Sequence, residues 1–76
     1  MLELLHYLLE NILPEGAKFE ITEEAEDRDV TFTINIPEEF RGMLIGKGGN
    51  NINSIRRILN IRAKRDGVFA HIKVAD

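Results

Sequence analysis

The residues with the clearest capacity for chemistry are Gly46-Lys47-Gly48-Gly49, where three glycines surround one lysine. Each glycine costs a helix about 1 kcal/mol relative to alanine, so a cluster of three needs a reason beyond turning the chain. Without Cβ atoms these residues can take positive φ and let a ligand touch the backbone. Lys47 places a cation at the tip. The pattern therefore favours binding of an anion over bond-making chemistry.

Asn50 and Asn51 follow the glycines and are expected to open a helix, because asparagine favours helix N-termini. The first amides of that helix should lack partners and carry the positive end of its dipole, which attracts phosphate oxygens. The two asparagine side chains can also donate to a phosphate or a sugar. Each phosphate bound releases counterions, so binding through this segment should weaken as salt rises.

Two other interpretations of the glycine cluster were weighed. A glycine-rich turn between two helices, with nothing bound, stays open on the local pattern. A nucleoside-triphosphate loop needs G-x-x-x-x-G-K-[ST] after a strand, with the hydroxyl on magnesium. Here Lys47 is followed by glycine and a helix is predicted before the loop. The spacing therefore excludes that loop.

The charge of the chain is unevenly distributed, although its net value is only −3. Residues 1–40 contain two bases and eleven acids, whereas residues 41–76 contain eight bases and two acids. A polyanion responds to the local potential, so the basic second half can attract one despite the net charge. Solvated faces that happen to segregate by charge are the other explanation.

Hydrophobic periodicity predicts a helix and two strands in the first half of the chain. Leucines at helical spacing indicate a helix from residue 2 to about Pro14-Glu15-Gly16, and alternation predicts a strand over residues 17–22. Residues 23–29 are predicted as a charged connection, and residues 30–36 as a second strand that Pro37 closes.

The second half is predicted to contain two helices and a third strand. A short helix should begin at Pro37-Glu38 and end at Ile45, and another should run from Asn50 to about Arg65. Residues 68–74 alternate again and predict a strand whose Phe69 and His71 point away from the core. The predicted order is helix, strand, strand, helix, helix, strand.

The rest of the sequence argues against an enzyme. There are no cysteines, the two histidines have no metal-ligand spacing, and Ser54 has no neighbouring base, so neither a cofactor nor a metal is predicted. No apolar run approaches the roughly 20 residues that cross a bilayer, and the acidic start does not fit a signal peptide. We therefore expect a cytoplasmic protein.

The segment Ile45-Gly46-Lys47-Gly48-Gly49-Asn50-Asn51-Ile52 is similar to the I-G-x-x-G-x-x-I signature of the KH (K-homology) RNA-binding domains. The element order resembles the type II form of that fold over the whole chain. The resemblance implies one α+β domain, residues 1–76, with a three-stranded sheet and three helices on one face. The small size resembles the stand-alone bacterial KH proteins, the KhpA-like family.

For function, the resemblance implies a single-stranded RNA binder, an RNA chaperone or post-transcriptional regulator. Relatives of this kind are often homodimeric or paired with a larger RNA-binding companion, and they are linked to control of cell shape. The alternative is a protein-interaction module on a KH scaffold that binds RNA only together with a partner protein. Ile61, which lies opposite the apolar stripe of its helix, is either the centre of a dimer contact or a lone exposed isoleucine.

Carried onto this sequence, the resemblance gives each residue of the segment a role. Residues 46–49 would clamp the backbone of about four nucleotides. Ile45 and Ile52 would form the floor of a groove for the bases, strand 68–74 its opposite wall, and Arg56 would assist the loop. Because the segment 65–67 before that strand is short, the implied groove is shallow, with weak and sequence-tolerant binding.

Overall fold

The computed structural model describes residues 1–75, and its elements follow the predicted order. The helices are α1 (Leu2–Ile12), α2 (Glu38–Ile45) and α3 (Asn50–Asp66), a single 3-10 turn spans Lys47–Gly49, and the strands are β1 (Glu20–Glu26), β2 (Asp29–Asn35) and β3 (Phe69–Val74). Within the described residues, no helix has both the length and the apolar character needed to span a bilayer. The fold class is α+β, as predicted.

The three strands form one mixed sheet in the order β1-β2-β3. β1 and β2 are an antiparallel hairpin, in register from Glu20 opposite Asn35 to Glu26 opposite Asp29. β3 runs parallel to β2, because α2 and α3 carry the chain back across the sheet before it re-enters. β3 is therefore an edge strand that has α3 directly before it in the chain.

The position of β1 corrects the prediction of a strand over residues 17–22 followed by a charged connection over 23–29. Residues 23–26 belong to β1, and the turn is only Asp27-Arg28, with Asp27 at φ 54°. Periodicity failed here because every β1 residue except the half-buried Ile21 is exposed, so pairing with β2 alone defines the strand. The ladder ends at Asn35, before Pro37, which has no N–H to donate.

The core lies between the helices and one face of the sheet. Its fully enclosed side chains come from every layer: Leu5, Leu9, Phe32, Ile34, Leu44, Ile55 and Leu59. On α3 the buried residues recur at helical spacing, as the sequence predicted, and fix which side of that helix faces the sheet. The opposite side of α3 is free to carry charge.

The other face of the sheet has no helix packed on it within the described residues. Phe69 is 62% exposed there. His71 lies beside it in the strand pattern, and its Nε2 is 2.9 Å from Asp29 Oδ1 on β2. The prediction that Phe69 and His71 point away from the core is confirmed, and the contact with Asp29 places His71 on the outer face of the sheet.

Candidate nucleic-acid interface

The glycine loop is built from three glycines with positive φ, at 79° for Gly46, 63° for Gly48 and 81° for Gly49. Gly46 also has ψ 172°, a combination that is essentially restricted to glycine. Gly48 and Gly49 are in the left-handed helical region, which other residues enter at a cost. The backbone conformation of the loop therefore explains all three glycines.

The pattern of free amides differs from the one expected. Gly49 N–H donates to Gly46 O at 3.1 Å, and Asn50 N–H donates to Lys47 O. The 3-10 turn thus occupies amides at the start of α3 that were expected to be free. Within the loop itself, Gly46 N–H donates to Gly42 O and Gly49 N–H to Gly46 O, which leaves the N–H groups of Lys47 and Gly48 as the candidate donors for an anion. The donors available to an anion lie in the loop, one turn before the helix.

These two amides belong to the exposed tip of the loop. Lys47 has no positive φ, whereas Gly48 has left-handed angles, φ 63° and ψ 18°. Successive backbone N–H groups in turns can form concavities that bind phosphate. Lys47 and Gly48 are exposed, and a Cβ placed on Gly48 would meet nothing within 4 Å. A ligand can therefore reach the backbone of this turn.

Asn51 has a different part in the site from the one predicted. Its side-chain Nδ2 donates to Met43 O near the end of α2, at 2.8 Å, so it ties α2 to α3. A Cβ on Gly46 would stand 2.8 Å from Asn51 Cγ, which means that the Asn51 side chain fills the space that glycine leaves. Asn51 holds the loop in shape. Its expected role as a direct phosphate donor has no support in this geometry.

The remaining residues of the predicted segment differ in how much of their surface is exposed to solvent. Asn50 is exposed at the start of α3. Ile45 is half-buried and presents apolar surface beside the loop, whereas Ile52 is only 6% exposed. Ile52 therefore anchors α3 to the core, and of the two isoleucines Ile45 has more surface on which a base could rest.

Arg56 lies along a polar row that runs from the loop to the edge strand. Asn53 Nδ2 is 3.4 Å from where a Cβ of Gly49 would be, and Asn53 Oδ1 accepts from Arg56 Nη1 at 3.2 Å. Arg56 Nη2 then donates to Ile72 O of β3 at 3.3 Å. Sequence reasoning missed Asn53, although its spacing, four residues after Gly49 and three before Arg56, places all three on one side of α3.

The backbone of β3 explains why Ile72 O is accessible. Phe69 N–H donates to Arg28 O and Ala75 N–H donates to Ile34 O, so the odd-numbered residues face β2. Since backbone groups alternate along a strand, those of Ala70, Ile72 and Val74 face the outer edge. The loop, the polar row and this edge lie along the same side of α3, where the family resemblance places the groove for the bases.

Basic side chains are exposed on α3, the helix that carries the polar row. Arg57, Lys64 and Arg65 are exposed on α3, while Arg62 is paired with Asp66 at 3.3 Å. Exposed carboxylates are concentrated on β1 instead. The largest group of bases is therefore on α3 and the largest group of acids is on the hairpin, with further carboxylates on α1 and α2.

A concavity of about 960 Å³ lies elsewhere, at the end of α1. Leu13, Phe19 and Ile36 contribute apolar surface, while Glu10 and Glu15 add negative charge. None of the nine residues of the predicted site lines it. Its carboxylates would repel phosphate, so it is not part of the nucleic-acid surface.

Comparison with known proteins agrees with this geometry. The family model described as "KhpA/KhpB, KH domain" matches residues 2–74. No curated protein sequence matches the chain significantly. Among solved structures, a variant of Aquifex aeolicus Era bound to GDP.AlF4- is similar, with a TM-score of 0.64 and 14% identity over 95% of this chain.

The Era likeness concerns the fold alone, because the identity is low and the chain spans only 28% of the length of that protein. The family match supports more than a shared fold, because it covers nearly every residue and includes the whole glycine loop. KH domains are RNA-recognition modules in which a G-x-x-G loop clamps the nucleic-acid backbone. The chain belongs to the KhpA/KhpB family of KH domains.

Proposed function

We propose that this protein binds single-stranded RNA through the loop at residues 46–49 and acts without chemistry, as an RNA chaperone or post-transcriptional regulator in the cytoplasm. Family membership implies RNA binding. The observation that carries the more specific proposal is the exposed apex of the loop, where a cationic residue and an open backbone lie side by side at Lys47 and Gly48.

In this proposal the loop grips sugar and phosphate while the groove receives the bases. The Lys47 ammonium neutralises one phosphate, and the two free amides donate to its neighbour. Ile45 gives the bases an apolar support beside the loop. Phosphate contacts position a strand without reading its sequence, so the loop itself should be sequence-tolerant.

The test is a fluorescence-anisotropy titration of short single-stranded RNAs with wild type and the double variant Lys47→Asp/Gly48→Asp. We expect the variant to lose most of its affinity, since two carboxylates then occupy the space meant for phosphate. Circular dichroism should show an unchanged fold, because both residues are exposed.

The matched control is Gly16→Asp/Lys18→Asp, which also lowers the charge by three and replaces an exposed glycine of positive φ, in the connection before β1, on the far edge of the sheet from β3. It should bind RNA nearly as well as wild type at physiological salt. Equal losses in the control and in the loop variant would show that only the net charge matters, and the loop proposal would then be wrong.

The alternative function, protein interaction on a KH scaffold, draws on one feature of α3. Ile61 is 69% exposed and Ile58 is 41% exposed, one turn apart on the same helix. An adjacent apolar pair of this kind is suited to contact with a second copy or a companion protein. Contact with a second copy is tested by sedimentation of wild type and Ile61→Asp over a dilution series. In that case only the wild type should dimerise.

A further inference from the structure

The contact between Arg56 and Ile72 has a consequence for which bases the groove accepts. On the outer edge of β3, Ile72 O is an acceptor directed away from β2, and Arg56 Nη2 donates to it at 3.3 Å. The guanidinium takes up one of the two lone pairs of this carbonyl. It therefore adds donors to the edge at the point where an incoming base would meet Ile72 O.

The guanidinium keeps donors to offer after these contacts are made. Arginine has five N–H groups, and the contacts with Asn53 Oδ1 and Ile72 O use one each from Nη1 and Nη2. The two contacts also fix the guanidinium in place, on the same side of α3 as the loop. Asn53, which holds the guanidinium through Oδ1, also lies close to Gly49, so Arg56 is within one side chain of the loop.

We propose that Arg56 is the base-selecting residue of the groove and that it favours guanine over adenine. Guanine offers two adjacent acceptors, O6 and N7, which match an arginine fork, whereas adenine pairs its N7 acceptor with an N6 amino donor. That amino group meets the guanidinium donors, and Ile72 O beside them already accepts from Arg56. This inference rests on the proposed RNA-binding function and adds a base preference to it.

The experiment compares two heptanucleotides that differ in one base, UUUGUUU and UUUAUUU, by fluorescence anisotropy at fixed salt. Wild type should bind the guanine-containing RNA about five-fold more tightly or better, the lower range for one bidentate arginine contact. Arg56→Met removes every donor and releases Ile72 O, so it should weaken both affinities and abolish or invert their ratio.

Two further variants separate base selection from charge. Arg57→Met makes the same substitution one residue along α3, at an exposed arginine. It should lower the affinity for both RNAs by the same factor and so keep the wild-type ratio of the two affinities. Arg56→Lys keeps the charge but lacks the fork, and should lose the ratio while retaining most of the affinity. Circular dichroism of each variant verifies that it is folded.

Each outcome separates the inference from the proposed function. Equal binding of both RNAs by wild type, or an unchanged ratio in Arg56→Met, would overturn the selection by Arg56 and leave RNA binding intact. Failure of wild type to bind either RNA, even at low salt, would overturn the proposed function itself.

Discussion

At the scale of single residues, the three glycines of the loop are required for different reasons. Gly46 combines φ 79° with ψ 172° and has Asn51 in the place of a side chain. Gly48 is in the left-handed helical region with open space around it. The first glycine is therefore needed for folding, and the second keeps the proposed phosphate site open.

Substitution with alanine should separate these two requirements. Gly46→Ala should lower the free energy of unfolding by about 3 kcal/mol, from backbone strain and the clash with Asn51. Gly48→Ala should cost only about 1 kcal/mol, the penalty for a left-handed residue, but should weaken RNA binding because its methyl group narrows access to the loop backbone. Urea denaturation measures the first effect and anisotropy the second. Equal stability losses would contradict this division.

The two asparagines beside the loop are the same residue type but have different roles in the structure. Asn50 and Asn51 looked equivalent in the sequence as helix-opening residues and phosphate donors. The structure gives Asn51 a hydrogen bond to Met43 O, while Asn50 remains exposed. No sequence pattern distinguishes them, since the distinction depends on where the last turn of α2 lies relative to α3.

At the scale of elements, Asn51 joins α2 to α3 and so fixes the angle at which the loop is presented. Asn51→Ala should lower the free energy of unfolding by about 1 kcal/mol, the usual value of one hydrogen bond, and reduce RNA affinity. Asn50→Ala is the matched control and should leave stability within about 0.5 kcal/mol of wild type. Similar effects of the two substitutions on stability and affinity would mean that the bond to Met43 does not hold the loop.

The helices were easier to predict than the first strand, and the reason is burial. α2 and β2 each match their predicted ranges within one residue, because apolar residues alternate with polar ones where one face is covered. β1 is exposed on both faces over most of its length, and its position follows from backbone pairing with β2. Side-chain patterns carry no information about a strand held in that way.

At the scale of the whole molecule, the separation of charge should orient RNA toward α3. Binding that neutralises about four phosphates should give a slope of log affinity against log salt no steeper than about −3, from about 0.7 per phosphate of a single strand. A titration between low and physiological salt measures this slope. A slope near zero would mean that stacking, and not phosphate contact, supplies the affinity.

The acids of the hairpin provide a second test at this scale. Replacing Glu20, Glu24 and Glu26 with glutamine brings the formal net charge from −3 to 0. At about 10 mM salt, where the Debye length is about 30 Å, RNA affinity should rise, because the potential reaches across a molecule of 34 × 20 × 20 Å. At physiological salt the gain should disappear. A gain that persists there would place the hairpin in contact with RNA.

The sequence alone determined the family, the order of elements, the buried face of α3 and the candidate loop for phosphate, because these follow from periodicity and from residue types within a short stretch. The tertiary structure decided that amides at the start of α3 are occupied by the 3-10 turn, that Asn51 joins α2 to α3, and that Arg56 contacts both Asn53 and Ile72. These features depend on partners that are distant in sequence or on the angle between two helices. Hydrogen bonds of that kind form only when the packed core has set the distances, so no local pattern can reveal them.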